Sequence, residues 1–368
     1  MSWPHFTCVK TGKHFPFALN VFNNPEANSP SYSNLIMEGW YEVEWYLSRV
    51  PFKQIHVSYG AKNTPLIQYP HAQEILWLPN LMVKDESHNP YGTHKDRRSE
   101  YIINVALEHH VDKIVCLTAG NAWYSLSRYC ARAHIDYTSL IFPWVSAERR
   151  DSLSYYGHSL IIDWNRNAWI LRFRWFKEII QEYDKYERWL EWKNIRAVTN
   201  SFEPISVNAY KELFYEIKDE QPDYVVLPCG SGDIIVGVRL AIKELGMSTK
   251  IIAVWPKDEH PLKNALRFGV DEYQIEHYHE QSIAEKLSTP FSAVLPILYK
   301  IFNEPGNMYF EVDNTLIQRT KEVLSFNNKI KFENSAVPPF AVFLAHERPN
   351  IDPQSKVIII NTGKWLEN

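Results

Sequence analysis

The stretch YVVLPCGSGDIIVG, residues 224–237, contains the pattern that decides the fold. Its first five residues form a short apolar run rich in β-branched side chains, which predicts a buried strand over Tyr224–Pro228. Glycines follow at 230 and 232, and a helical pattern then continues to about Leu245. A buried strand that leads through a glycine turn into a helix is typical of an α/β fold with a parallel sheet.

The same alternation recurs along the chain. Further strands are predicted at 113–117, 138–142, 159–163, 250–255 and 356–360, and helices at 122–133 and 175–192. A change of composition over WLEWKNIRAVTN, residues 189–200, predicts a crossover between domains. Ligands of parallel sheets normally lie beyond the carboxyl ends of the strands. The polar, glycine-containing turns that follow Leu117, Pro228 and Ile360 are therefore the candidate binding segments.

Length and composition limit the function classes. A chain of 368 residues predicts two domains, or one large split domain. The balance of 39 basic and 43 acidic residues gives no sign of a nucleic-acid or anionic-membrane surface. The 4 cysteines form no CxxC pair, and the N-terminal residues contain no apolar signal-peptide region. These features predict reduced thiols and a cytoplasmic protein without a membrane partner.

The turn CGSGDIIVG at 229–237 predicts an anion site. Glycines between a strand and a helix let backbone amides approach a phosphate, with the helix N-terminus behind them. Ile235 breaks the GxGxxG pattern, and neither Gly232 nor Gly237 is followed by the Lys-Ser or Lys-Thr of a Walker A loop. A single phosphate is therefore favoured over a dinucleotide or a nucleoside triphosphate. Taken alone, the segment is equally consistent with a tight strand–helix turn.

Two further segments carry candidate chemistry. The first, TAGN at 118–121, has small side chains whose amides suit a carboxylate, and Asn121 suits a phenolic oxygen, although the segment is also an ordinary N-cap turn. The second, KDESHNPYGTHKDRR at 84–98, places Lys95 just inside a predicted helix beside a glycine turn. A desolvated lysine there is a candidate nucleophilic amine that forms imines with carbonyl groups. The alternative is a solvated charge run.

Taken in their order along the chain, the segments at 84–98, 118–121 and 229–237 resemble those of the tryptophan-synthase-β-like superfamily, the fold-type-II pyridoxal-phosphate enzymes. The resemblance runs from NTPL at 63–66 to Thr362-Gly363, and the form of the lysine motif is nearest to threonine synthase-like members. It implies pyridoxal 5'-phosphate as the cofactor, held as a Schiff base on the catalytic Lys95. The other cofactor-binding residues that it implies are His94, Asn121, Gly230, Ser231, Gly232, Asp233, Ile234 and Thr362. The substrate carboxylate is assigned to Thr118, Ala119, Gly120 and Asn121.

The resemblance also implies an architecture. It predicts two three-layer α/β/α domains with mostly parallel sheets and the cofactor in the cleft between them. A smaller, mobile domain is expected at 78–195, carrying Lys95 and the TAGN loop. A larger domain is expected at 1–77 plus 196–368, carrying the phosphate loop and the C-terminal strand. A homodimer is expected by the same resemblance.

The function that it implies is a lyase or synthase acting on a small amino acid by β- or γ-elimination or replacement, similar to threonine synthase. Two alternatives stay open: a serine/threonine dehydratase-like or O-acylserine sulfhydrylase-like enzyme, and a pyridoxal-phosphate-binding sensor or partner subunit without turnover. The His-x-His spacing within Glu276–Glu280 has no evident third ligand nearby, so no metal site is predicted.

Overall fold

The computed structural model describes residues 5–8, 12–16, 35–38, 52, 54–117, 121–141, 158–161, 195–199, 204–257, 262–268, 282–287, 292, 294–328 and 332–364. The chain divides into two compact units. The first consists of residues 1–59 and 95–206, and the second of residues 60–94 and 207–368. The predicted helix at 175–192 lies outside the described residues.

Strands and helices alternate along most of the described chain. The strands are β1 His5–Cys8, β2 His14–Pro16, β3 Leu35–Glu38, β4 Leu66–Ile67, β5 Leu81–Asp85, β6 Lys113–Leu117, β7 Asp136–Ile141, β8 His158–Ile161, β9 Ile195–Thr199, β10 Tyr224–Pro228, β11 Lys250–Pro256, β12 Met308–Val312 and β13 Val357–Asn361. The α-helices are α1 Pro70–Leu76, α2 Lys95–Glu108, α3 Asn121–Arg132, α4 Pro204–Val207, α5 Lys211–Tyr215, α6 Asp233–Glu244, α7 Leu262–Phe268, α8 Leu295–Phe302, α9 Asn314–Asn328 and α10 Pro338–Ala341.

The second unit is built on a six-stranded sheet in the order β12-β11-β10-β13-β5-β4. The strands are parallel except β4, which pairs antiparallel with β5 at one edge. Val83, Ile359, Val226 and Ile252 stand in register across four neighbouring strands, and all four are fully buried. They belong to one hydrophobic cluster with Phe340 of α10, which packs against the sheet. This row explains why the strands are continuous apolar runs, because both faces of a parallel sheet are covered.

The first unit contains a parallel four-stranded sheet in the order β8-β7-β6-β9. Helix α3 connects β6 to β7 and packs on β7, and α2 packs against α3. A separate antiparallel sheet, β2-β1-β3, lies near the N-terminus of the same unit. The predicted strand–turn–helix alternation therefore appears in both units.

The predicted strands over 113–117 and Tyr224–Pro228 have the observed bounds, and the others shift by one or two residues where they are described. The two compact units differ more from the predicted domains than the observed strands differ from the predicted strands. We predicted residues 78–94 in the smaller domain, whereas β5 pairs with β13 inside the second unit. That pairing joins residues far apart in sequence, so no local pattern reveals it. The predicted crossover at 189–200 also contains β9, which pairs with β6 inside the first unit.

Candidate cofactor site

Three neighbouring parallel strands of the second unit end at one edge of the six-stranded sheet. In the order β10-β13-β5, they end at Pro228, Asn361 and Asp85. The Asn361 side-chain amide donates a buried hydrogen bond of 2.8 Å to Asp85 Oδ1. Thr362 and the turn after Pro228 therefore follow adjacent strands, at the edge where ligands of parallel sheets bind. The structure thus brings together two of the segments that the sequence singled out.

The glycine turn after β10 has the shape of an anion cradle. Gly232 has φ +93°, and a Cβ on it would lie 2.6 Å from Leu298 Cδ1. A Cβ on Gly230 would lie 3.2 Å from the Lys286 carbonyl oxygen. The helical ladder of α6 then starts with the bond from Val236 N to Gly232 O, 3.0 Å. The amides that precede this ladder lie at the positive end of a 12-residue helix, which suits a phosphate.

Ile234, Asp233 and Ser231, the other predicted cofactor-binding residues of this turn, differ in the polar groups that they present. Ile234 is buried and apolar, so its backbone amide is the group that it can contribute. Asp233, the first residue of α6, is 4% exposed and accepts a hydrogen bond of 3.1 Å from Ser231 Oγ. Burial, and after it the charge of Asp233, raises the pKa of the neighbouring Cys229 thiol well above its ordinary range. The Asp233 carboxylate is thus buried within the turn and bonded to Ser231.

His94 and Thr362 are in direct contact. The His94 amide donates to the Thr362 carbonyl oxygen at 2.9 Å, and His94 Nδ1 lies 3.0 Å from the same oxygen. Since a carbonyl oxygen only accepts, the proton of this second bond resides on Nδ1. The ring also packs on Tyr210, with 5.7 Å between ring centroids, and Thr93 forms a bridge with Gly363. The residue that precedes Lys95 is therefore fixed to the end of β13.

Lys95 itself is the first residue of α2 and is half-buried. The next residue, Asp96, is fully buried and accepts a hydrogen bond of 2.5 Å from Ser125 Oγ. Ser125 belongs to α3, whose first residue is the half-buried Asn121. Within the first unit, the beginnings of α2 and α3 are thus held together one residue from Lys95 and one turn from Asn121. Thr118, Ala119 and Gly120 lie outside the described residues.

Polar side chains on one face of α2 form hydrogen bonds with residues 56–59, the segment before Gly60. The Asn104 Oδ1 atom accepts from the amides of His56 and Val57, and Glu100 accepts from the amide of Tyr59 at 2.6 Å. Glu108, one further turn along the helix, contacts His56 Nε2 at 2.9 Å. Residues four apart share one helix face. These partly buried contacts hold the helix that carries Lys95.

Metal sites and membrane spans can be assessed for the described ranges. Those ranges contain no group of three or more His, Cys, Asp or Glu side chains arranged to hold a metal ion, and Glu276–Glu280 falls outside them. Among the described helices, none combines the length and apolar character required to cross a bilayer.

The parallel sheets, with a glycine turn and a helix N-terminus at their carboxyl edge, are typical of α/β proteins that bind a small phosphorylated ligand. Residues 57–363 match the family described as pyridoxal-phosphate dependent enzyme. The chain belongs to that family. It is therefore a fold-type-II enzyme that uses pyridoxal 5'-phosphate, which confirms the predicted fold class and cofactor.

Curated relatives and solved structures agree with this assignment. The chain is 24% identical to a threonine synthase of Methanocaldococcus jannaschii over 341 residues, covering 88% of this chain and 80% of the relative. The match to a threonine synthase of Methanosarcina acetivorans is of the same extent, with 79% of that relative covered. The structure of maize serine racemase is similar with a TM-score of 0.67 at 19% identity, covering 82% of this chain and 87% of that one. An L-serine ammonia-lyase from Rhizomucor miehei gives a TM-score of 0.65 at 18% identity, covering 82% and 94%.

The edge of the six-stranded sheet fits the cofactor chemically. Pyridoxal 5'-phosphate has a planar pyridine ring that carries its phosphate on a short methylene arm. The glycine turn offers helix-terminal amides in a space that a side chain would fill, and Thr362 follows the adjacent strand with a hydroxyl group. Sequence reasoning missed two residues around this edge, Lys286 and Glu333, which form an ion pair. No motif in the sequence marks Lys286.

Proposed function

We propose that the protein is an amino-acid lyase or synthase that eliminates or replaces a β or γ substituent, with a reaction similar to that of threonine synthase. The observation that carries the proposal is the glycine turn at Gly230–Gly232 on the strand next to Thr362, inside a chain of the pyridoxal-phosphate family. Threonine synthases among the curated relatives support this choice of reaction.

We assign the site residues as follows. Lys95 holds the aldehyde of the cofactor, and Gly230, Ser231, Gly232, Asp233 and Ile234 form the loop around its phosphate. Thr362 faces the pyridine nitrogen, and His94 orients the chain before Lys95 through its two bonds to the Thr362 carbonyl. The TAGN segment binds the substrate carboxylate, and Asn121 contacts the ring hydroxyl of the cofactor.

When bound, pyridoxal 5'-phosphate draws electrons from the Cα atom of an amino acid. The protein decides where the proton goes. We assign the Cα proton to Lys95 Nζ, because an amine at a helix N-terminus is disfavoured as an ammonium ion and is therefore suited to accept a proton. Thr362 offers a neutral hydroxyl in place of a carboxylate, so it holds no charge against the pyridine nitrogen. That arrangement favours prompt loss of a leaving group over transamination.

A second reaction class has its own support. Solved structures of similar fold include the L-serine ammonia-lyase and a threonine deaminase, isoform 2, from Solanum lycopersicum. The second candidate is therefore β-elimination from serine or threonine, or β-replacement on an O-acylserine. It differs from the first in its leaving group, which is not a phosphate.

We further propose a cytoplasmic homodimer. The support is the family resemblance, together with 4 buried cysteines, none of which forms a disulfide. Light scattering during gel filtration measures the mass, and a monomer at micromolar concentration would contradict the dimer.

A substrate panel separates the two reactions. Wild type and Lys95→Ala, both supplied with cofactor, are incubated with O-phosphohomoserine, L-serine, L-threonine, and O-acetylserine with sulfide. Release of inorganic phosphate with formation of threonine from the first compound supports the leading proposal. Keto-acid or cysteine formation without phosphate release supports the second candidate. Absence of turnover in wild type, with a cofactor spectrum that no amino acid alters, would contradict both.

A further inference from the structure

An ion pair lies beside the candidate site in the second unit. Lys286 Nζ and Glu333 Oε2 are in direct contact, and their side chains are 24% and 4% exposed. A carboxylate as buried as Glu333 is costly without a cation, because it has lost most of its water. This pair therefore differs from exposed surface ion pairs, which contribute little.

On the lysine side, the pair supports the glycine turn. The Lys286 carbonyl oxygen lies 3.2 Å, and the Leu287 Cα atom 3.4 Å, from the position that a Cβ on Gly230 would occupy. Ser292 Oγ also donates a hydrogen bond of 2.6 Å to the Ser231 carbonyl oxygen. The backbone of Lys286 therefore lies in close contact with the turn.

On the glutamate side, the pair reaches the end of β13. The Glu333 amide donates to the Gly363 carbonyl oxygen at 3.3 Å. Gly363 directly follows Thr362 and forms the bridge with Thr93. The backbone of Glu333 is therefore attached to the strand end that we assign to the pyridine nitrogen.

Two neutral hydrogen bonds join the same two segments as the ion pair. The Lys286 amide donates to Ser335 Oγ at 3.3 Å, and the Asn334 side-chain amide donates to the Ile283 carbonyl oxygen at 3.2 Å. Both are long for hydrogen bonds of these types. The charged contact is the strongest of the three, because charge-assisted bonds are about twice as strong as neutral ones.

We propose that Lys286 and Glu333 are a positioning pair, which holds the glycine turn at a fixed separation from the strand end at Thr362. The inference rests on the cofactor roles proposed for these two segments. A cofactor whose phosphate is carried on a short arm of a planar ring contacts both at once only when their spacing lies within its reach. The pair therefore contributes to the recognition of the phosphorylated cofactor without touching it.

The test compares pyridoxal 5'-phosphate with pyridoxal, which lacks the phosphate. Each is titrated into cofactor-free protein and followed by its visible absorption, which gives the ratio of the two dissociation constants. We expect Lys286→Met and Glu333→Gln each to lower the preference for the phosphorylated form at least fivefold, because the turn loses its alignment with the strand end. Lys286→Arg, which keeps the charge, should restore the ratio to within twofold of wild type.

Arg239→Gln is the matched control. Arg239 lies in α6 and pairs with Glu304 at 2.7 Å, with an exposure of 22% that is close to that of Lys286. We expect it to leave the ratio within twofold. If either single variant fails to fold, the neutral double variant Lys286→Met/Glu333→Gln carries the test, with the same lowered ratio expected.

The outcomes are separable. A ratio within twofold of wild type in the folded variants, even with both cofactor forms bound more weakly, would overturn the positioning role and reduce the pair to a stabilising contact. Failure of wild type to bind pyridoxal 5'-phosphate would instead overturn the proposed cofactor roles on which the inference rests.

Discussion

Helices α2 and α6 begin in similar ways but carry opposite charges at their first residue. A glycine with positive φ lies three residues before Lys95 in α2, Gly92 at +72°, and directly before Asp233 in α6, Gly232 at +93°. The first residue of α2 is Lys95, whereas that of α6 is Asp233. A helix N-terminus stabilises an anion and disfavours a cation. Asp233 therefore agrees with the helix dipole, and Lys95 opposes it.

The two first residues differ in whether they stabilise their helix. A lysine placed against the dipole weakens the helix, and this unfavourable position agrees with the reactive amine that we propose there. An aspartate placed with the dipole supports the helix, but it brings a negative charge to a turn assigned to phosphate. The hydrogen bond from Ser231 holds that buried carboxylate within the turn. The following predictions test both sides of this comparison, from the largest effect to the smallest.

Removal of the amine at the start of α2 should abolish covalent attachment of the cofactor. We expect borohydride reduction of the wild-type protein with pyridoxal 5'-phosphate to add one cofactor mass on Lys95, as measured by mass spectrometry of peptides. Lys95→Ala should show no addition, whereas Lys257→Ala, an exposed lysine after β11, should behave as wild type. Attachment to another lysine in wild type would contradict the assignment of Lys95.

At the start of α6, Gly232→Ala should be strongly destabilising. The substitution combines a strained positive φ with a Cβ only 2.6 Å from Leu298 Cδ1. We expect a loss of about 3 kcal/mol in the free energy of unfolding, measured by urea denaturation. The control is Gly246→Ala, where φ is +64° but nothing lies within 4 Å, so about 1 kcal/mol should be lost. Equal losses would show that the Leu298 contact is readily relieved.

Ser125→Ala tests the anchor next to Lys95. The variant removes a hydrogen-bond donor from the buried carboxylate of Asp96 and should lower the free energy of unfolding by about 2 kcal/mol. Ser127→Ala, on the same helix, removes a weak bond of 3.5 Å and should cost less than about 0.5 kcal/mol. A loss at Ser125 no larger than that at Ser127 would mean that other donors suffice for Asp96.

The smallest effect concerns the Cys229 thiol below the glycine turn. Its pKa is raised first by burial and second by Asp233, so the folded state favours the protonated thiol. The stabilisation is present below the ordinary thiol pKa of 9.0 and declines as the pH rises above it. At pH 9, we expect iodoacetamide to label Cys229 at least tenfold more slowly in native than in unfolded protein. Asp233→Asn should speed native labelling by less than about threefold, because burial dominates; a larger change would assign the main effect to the carboxylate.

Much of this architecture was predictable because its signals are local. The run YVVLP and the glycines after it predicted β10, the turn and the start of α6. The family resemblance rested on three such turns in order, and it predicted the cofactor correctly. What escaped prediction depends on partners remote in sequence. Examples are the pairing of β5 with β13, and the close approach of the Leu298 side chain to Gly232.

The Lys286–Glu333 pair shows the same limit within the site. Its two residues lie in irregular segments on either side of α8 and α9, and neither segment has a periodicity that points to the other. Charges in such segments ordinarily indicate solvent-exposed loops. Only the folded chain shows that one of them, Glu333, is buried beside the strand end.

The bonds from His94 to Thr362 have a consequence for the order in which the protein matures. Strand β13, which precedes Thr362, lies between β10 and β5 in the middle of the six-stranded sheet, yet it is the last of the described strands to be synthesised. On the ribosome, the chain before Lys95 therefore lacks its anchor until β13 and Thr362 have emerged. Under the cofactor role that we propose for Lys95, the site reaches its final geometry only after β13 has joined the sheet, so cofactor binding follows that folding step.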